Sequence, residues 1–217
     1  MMAAVLALAA TQAMAYREGD SQLWLAAGAE TGSGAESGPG QDIRIGIDLG
    51  ARWGDSMSDY FYKSYEPYLV WKAAPWLDIT FGDEFIQSKK GSEWLDEQVP
   101  KVTVQIKGDS GPLTLSNRSR MEYRLREEAN DEWRYRDRVR LQLAKGVTSY
   151  KVRPFVDDEL YFSCDEQQFN ENRASAGFAA EVIPRVKVEL YYLVRSQLND
   201  DLWTDTNVVG LKLAFVF

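Results

Sequence analysis

Histidine is absent from the whole 217-residue chain, which removes the commonest general base of hydrolytic enzymes and the commonest metal ligand. A single cysteine, Cys164, excludes an intrachain disulfide and reads as a small buried or loop side chain. Basic residues number 25 against 33 acidic ones and are scattered among them, for a net charge of −8. A chain so charged, with no basic patch, is not built for nucleic acid. Long apolar runs are missing too: no stretch approaches the roughly 20 residues that a membrane helix requires. That last absence leaves strands open as a means of crossing a membrane. A strand in a membrane barrel shows lipid only every second side chain, so 45% apolar and 27% charged residues are compatible with one wholly apolar face.

What is present is organised around the two ends. Residues 1–15, MMAAVLALAATQAMA, form a short apolar run closed by Ala13-Met14-Ala15, the small-x-small pattern of a signal peptidase site, although no basic residue precedes the run. The expectation is a cleaved signal peptide over 1–15 and one domain over 16–217, a length suited to a single folding unit. At the other end, counting back by two gives Phe217, Phe215, Leu213, Leu211 and Val209, all apolar, while Lys212, Gly210 and Val208 lie between them. An alternating strand that finishes on phenylalanine resembles the signal by which outer-membrane barrels are recognised for insertion.

The same period of two recurs inward from the ends. Ile43, Ile45, Ile47, Leu49, Ala51 and Trp53 oppose Arg44, Gly46, Asp48, Gly50 and Arg52, and Val186 to Val194 oppose Lys187 to Arg195 in the same manner. Further strands are predicted over 22–29, 62–73, 77–87, 99–107, 113–126, 133–144, 151–162 and 172–182. Turns with proline or glycine at Ala74-Pro75, Gly108–Pro112, Lys145–Ser149 and Ile183-Pro184 recur about every 36 residues, one hairpin each. Longer polar loops are expected between them, at Gly54–Asp59, Ser88–Gln98, Glu127–Glu132, Ser163–Glu171 and Gln197–Asp205. Short turns on the periplasmic side and long loops outside would put the C-terminus in the periplasm. Aromatics such as Trp71, Trp76, Trp94, Trp133 and Trp203 fall near strand ends, as interface girdles require. The fold class is therefore all-β, a transmembrane antiparallel up-and-down β-barrel of about 10–12 strands. Eleven segments qualify as strands, but single-chain bacterial barrels have even numbers. The segment Gln22 to Ala29 thus pairs irregularly, or lies outside a ten-stranded wall, or a strand has been missed.

On the inward face, one strand carries Arg118, Arg120, Glu122, Arg124 and Arg126 and the next Arg134, Arg136, Arg138 and Arg140. Acids follow at inward positions, Asp157, Glu159, Glu181 and Glu189, with Arg153, Arg173 and Arg195 among them. Two readings stay open: a lumen cross-linked and plugged by ion pairs, or a selectivity surface for small charged solutes. No catalytic, cofactor or metal residue is assigned, because no nucleophile stands beside a base and consecutive acids such as Asp157, Asp158 and Glu159 point to alternate faces of a strand.

These segments resemble a known family, the bacterial outer-membrane barrels catalogued as domain of unknown function 2490. The resemblance rests on Asn117-Arg118-Ser119-Arg120-Met121-Glu122-Tyr123-Arg124, on Arg136-Asp137-Arg138-Val139-Arg140, on Pro154 to Phe162 with its acidic centre, and on Phe169-Asn170-Glu171-Asn172-Arg173. It covers most of the chain, more clearly from Ile43 onward, and implies a barrel in the outer membrane of a Gram-negative bacterium without supplying a catalytic residue. The expected protein is then a monomeric, porin-like outer-membrane barrel without enzymatic activity or cofactor. Its partners would be outer-membrane lipid and the insertion machinery, not nucleic acid. A soluble periplasmic barrel or sandwich that binds a lipid-like ligand is the rival architecture.

Overall fold

A computed structural model describes residues 19–31, 42–148, 151–199 and 201–217. The expected signal peptide over 1–15 lies outside the described residues, as does most of the glycine-rich stretch from Thr31 to Gly40. Eleven strands are formed: β1 (Asp20–Glu30), β2 (Asp42–Gly54), β3 (Asp59–Ala74), β4 (Leu77–Lys90), β5 (Glu93–Ser110), β6 (Leu113–Arg126), β7 (Glu132–Leu143), β8 (Arg153–Ser163), β9 (Gln168–Ile183), β10 (Val186–Asn199) and β11 (Leu202–Val216). Each is antiparallel to its sequence neighbour, and the sheet closes on itself by pairing β1 with β11.

The closure decides the question left by the odd strand count. When every neighbour is antiparallel, an odd number leaves the first and last strands running the same way, so the seam has to be parallel. It is: β1 pairs with β11 in parallel from Asp20↔Thr206 to Glu30↔Val216. Residues 22–29 therefore belong to the wall, which has eleven strands where an even number was expected. Parallel pairing is slightly weaker per residue. Here it runs the full length of β1 and is fastened at its ends by Gly19 N donating to Asp205 O and Phe217 N donating to Glu30 O, both at 2.9 Å.

Alternation sorts side chains as expected. Along β2, Ile43 and Ile45 are about 60% exposed on the outer wall (59% and 62%), whereas Arg44 and Asp48 turn inward and line interior cavities. The outer face of β11 carries Val209, Leu211, Leu213 and Phe215, with the fully buried Val208 behind it. An apolar outer wall around a charged interior is the reverse of a water-soluble fold, and it matches a hydrocarbon surround. Spin labels at Leu190→Cys and Leu211→Cys are accordingly predicted to report hydrocarbon in reconstituted bilayers; water exposure at both would overturn the transmembrane reading. Where polar groups do face outward, they satisfy one another. Asn117 and Ser119 donate to Asp137 at 3.0 and 2.8 Å, and Asn172 donates to Asp158 at 3.0 Å.

The expected contrast between short turns and long loops is not observed among the described residues. Ser88–Gln98 is not a loop: β4 and β5 stay paired out to Lys90↔Glu93, leaving a two-residue turn at Gly91-Ser92. Likewise β10 and β11 stay paired to Asn199↔Leu202. The reason is that strands need no apolar face once they leave hydrocarbon. Their backbones keep the ladder, and polar side chains pair across it, as Gln87 does with Asp96 at 2.7 Å and Ser196 with Asp205 at 2.6 Å. Loop length therefore assigns neither rim to a side of the membrane.

Candidate functional site

Strands β6 to β9 build one wall of the lumen from alternating charged positions. Direct register partners place Arg118 opposite Arg138, Arg120 opposite Arg136 and Glu122 opposite Arg134. Like charges facing each other across a ladder repel, so the arrangement holds only if acids intervene. Glu122, 1% exposed, accepts from Arg134 at 2.5 Å, Arg136 at 2.8 Å and Arg120 at 3.4 Å. Glu159 accepts from Arg118 at 2.7 Å and Arg136 at 3.1 Å. Arg140 spans Asp157 at 2.6 Å and Glu189 at 3.0 Å. Glu171 joins Arg173 at 2.5 Å to Arg195 at 2.8 Å, and Arg124 reaches Glu97 at 2.5 Å and Glu132 at 3.1 Å.

Aromatic rings fill the space between guanidinium groups. The Tyr161 ring has Arg136 4.3 Å and Arg173 4.6 Å from its centroid, and its hydroxyl donates to Glu159 at 3.1 Å. Across the lumen, Arg52 is held between Trp24 at 4.1 Å and Tyr62 at 3.9 Å, a contact in which a cation is stabilised by ring faces in place of a carboxylate. On the β3–β5 side Lys101 is paired with Glu66 at 2.8 Å and Glu84 at 2.7 Å.

This wall does not fill the barrel. A cavity of about 850 Å³ remains, bordered by thirteen basic and eight acidic side chains. A second cavity, of about 190 Å³, lies toward the rim that carries Glu30 and Asp78, and the two share Asp48, Glu66, Arg118 and Arg120 as lining. These four side chains stand between the two cavities.

The expected ladder is thus brought together, with one exception. Arg118, Arg120, Glu122, Arg124, Arg136, Arg138, Arg140, Asp157, Glu159, Arg173, Glu189 and Arg195 all belong to the lumen wall. Glu181 does not join them. It has the inward parity but sits at the end of β9, where its carboxylate accepts the Arg185 amide at 3.4 Å. Several lumen residues were missed. Glu97, Glu132 and Glu171 fell in segments read as loops, although each is two residues from a recognised inward arginine or strand end. Glu66, Glu84 and Lys101 have the inward parity within predicted strands but lie outside the expected ladder. Among the described residues, no group of three carboxylate or cysteine side chains is arranged to hold a metal ion.

An eleven-stranded closed barrel with an apolar exterior and an arginine-rich lumen defines the class as a membrane-spanning β-barrel. The model of the family described as protein of unknown function, DUF2490, matches residues 21–206, and the chain belongs to that family. No curated protein matches it. Among solved structures it is similar to an anion-selective porin from Comamonas acidovorans, at 11% identity and a TM-score of 0.40 over 81% of this chain and 56% of the other. The chain therefore spans little more than half of that porin, and so distant a likeness fixes neither strand count nor lumen chemistry.

Proposed function

We propose that the protein is exported by cleavage of its first 15 residues and resides in a bacterial outer membrane as a narrow aqueous passage for small anions. The observation that carries this reading is the sign of the lumen. The chain as a whole bears a net charge of −8, yet the side chains bordering its main cavity are thirteen basic and eight acidic, and the basic ones remain in excess when Glu122 and Glu171, paired with this wall, are counted with them. A basic surplus inside low-dielectric walls concentrates anions and repels cations. Arginine suits the task because its charge persists at any physiological pH while its weak hydration lets ions exchange partners. In this reading Phe217, Phe215, Leu213, Leu211 and Val209 are the segment read by the insertion machinery. The barrel works as a monomer in contact with lipid, and no chemistry is performed on the solute.

A second reading, a closed scaffold, is favoured by the partition of the lumen at Asp48, Glu66, Arg118 and Arg120. The rival soluble lipid carrier is disfavoured by a lumen whose walls are charged and whose exterior is oily. Purified protein in planar bilayers separates the readings. The passage predicts discrete conductance steps and, in a potassium chloride gradient, a zero-current potential of the sign given by chloride permeation. Silent bilayers leave the scaffold, and a cation-signed potential overturns the anion reading.

A further inference from the structure

We infer that the lumen contains a discrete binding site for a small oxyanion of the phosphate type, centred on the guanidinium of Arg138. The inference rests on the reading of the lumen as open to water, but it does not require conduction.

Arg138 is the one member of the ladder whose natural partner is already taken. Its register partner across β7 and β8 is Glu159. That carboxylate is saturated: Oε1 accepts from Arg118 at 2.7 Å, both oxygens accept from Arg136 at 3.1 Å, and Oε2 accepts the Tyr161 hydroxyl at 3.1 Å. The next acid along β8, Asp157, is occupied by Arg140 at 2.8 Å and by the Ser175 hydroxyl at 2.6 Å. Glu189 is committed to Arg140 as well, at 3.0 and 3.2 Å. Arg138 forms no ion pair or hydrogen bond with any described residue. On its other side, across β6 and β7, it faces Arg118, another cation. The guanidiniums of Arg118 and Arg140 border the same cavity as Arg138.

Glu159, Asp157 and Glu189 offset the charge of Arg138 at a distance without hydrogen-bonding it, and a guanidinium with free N–H groups facing a cavity beside other cations attracts an anion from outside the chain. The large cavity borders Arg118, Arg138 and Arg140 alike, so there is room for that charge. The unused donors also say what kind of anion fits. Guanidinium forks present N–H groups in fixed directions and reward acceptors with several oxygens, which a spherical halide lacks. A tetrahedral oxyanion can accept two N–H groups of the Arg138 fork together, which a halide cannot do with comparable geometry.

Inorganic phosphate is the probe, used with the intact barrel in detergent micelles at matched ionic strength against chloride. Calorimetric titration should show phosphate binding to the wild type, and phosphate should raise the unfolding temperature above its value in chloride. Arg138→Gln should weaken phosphate binding at least about tenfold, the scale of a lost charged hydrogen bond, while leaving the barrel in chloride as stable as the wild type or more so. Arg138→Lys, which keeps the charge and loses the fork, should fall between them. The inference is overturned if phosphate binds no better than chloride, if Arg138→Gln leaves phosphate binding unchanged, or if that variant is destabilised in chloride, since the arginine would then be paired. Conductance without phosphate binding sinks this site and leaves the passage standing. Phosphate binding in a barrel that never conducts does the reverse.

Discussion

Glu122→Gln is expected to lower the stability of the folded barrel by about 3–5 kcal/mol, the range found when one partner of a buried ion pair is removed. The substitution keeps the shape and takes away only the charge and an acceptor. Glu122 is the most enclosed acid of the lumen, 1% exposed, and three arginines converge on it: Arg134 at 2.5 Å, Arg136 at 2.8 Å and Arg120 at 3.4 Å. An amide in its place points an N–H at a guanidinium and leaves those cations to repel one another. Glu189→Gln is the control. Its side chain is 27% exposed and the ion pair it makes is with Arg140, which retains Asp157, so its loss should be about 1 kcal/mol or less. Urea unfolding followed by tryptophan fluorescence, with the heat-dependent gel shift of a closed barrel as a second readout, measures both. Combining Glu122→Gln with Arg136→Gln should cost less than the two added together, because the second change removes one of the cations that the first exposes. A Glu122→Gln barrel within 0.5 kcal/mol of wild type would mean that water, and not this carboxylate, screens the arginines.

Most of this wall was legible because alternation is a local signal. Each strand has to put every second residue toward the lumen, so the parity of Arg118 to Arg126 and of Arg134 to Arg140 could be read without knowing their neighbours. Pairing was not local. Nothing in the spacing says that Glu159 serves Arg118, two strands away and 41 residues earlier, in preference to its own register partner Arg138. The parallel seam was equally out of reach, since it depends on the total count and not on any residue within β1. The polar rims failed for a different reason. Apolar alternation marks a strand only where one side meets hydrocarbon. Once β5, β7 and β9 emerge from it the mark fades while the ladder continues, which is why Glu97, Glu132 and Glu171 fall in segments predicted as loops. Glu181 erred in the opposite sense: correct parity, but a position one turn too close to the rim to meet an arginine.

Glycine placement links this charge network to the backbone, and Gly177→Ala should reveal it with a loss toward the upper end of the roughly 1–3 kcal/mol typical of overpacking. Gly177 is the register partner of Phe155 on one side and Tyr191 on the other. A Cβ there would lie 2.4 Å from the Leu190 carbonyl oxygen, 2.7 Å from the Tyr191 Cβ and 2.8 Å from the Phe155 ring. The ring could swing aside, but the carbonyl belongs to the neighbouring strand and cannot move without loosening the β9–β10 ladder. Gly108→Ala is the matched control, because nothing stands within 4 Å of its added Cβ; it should be neutral or slightly stabilising. The consequence of crowding Gly177 reaches past stability. Arg140 lies 4.0 Å over the Phe155 ring and holds Asp157 and Glu189, so displacing that ring unseats the arginine next to Arg138. In bilayers, Gly177→Ala should therefore change the size or sign of the zero-current potential as well as the unfolding midpoint, while Gly108→Ala changes neither. A shift in stability alone would place Phe155 outside the machinery that sets the lumen's charge.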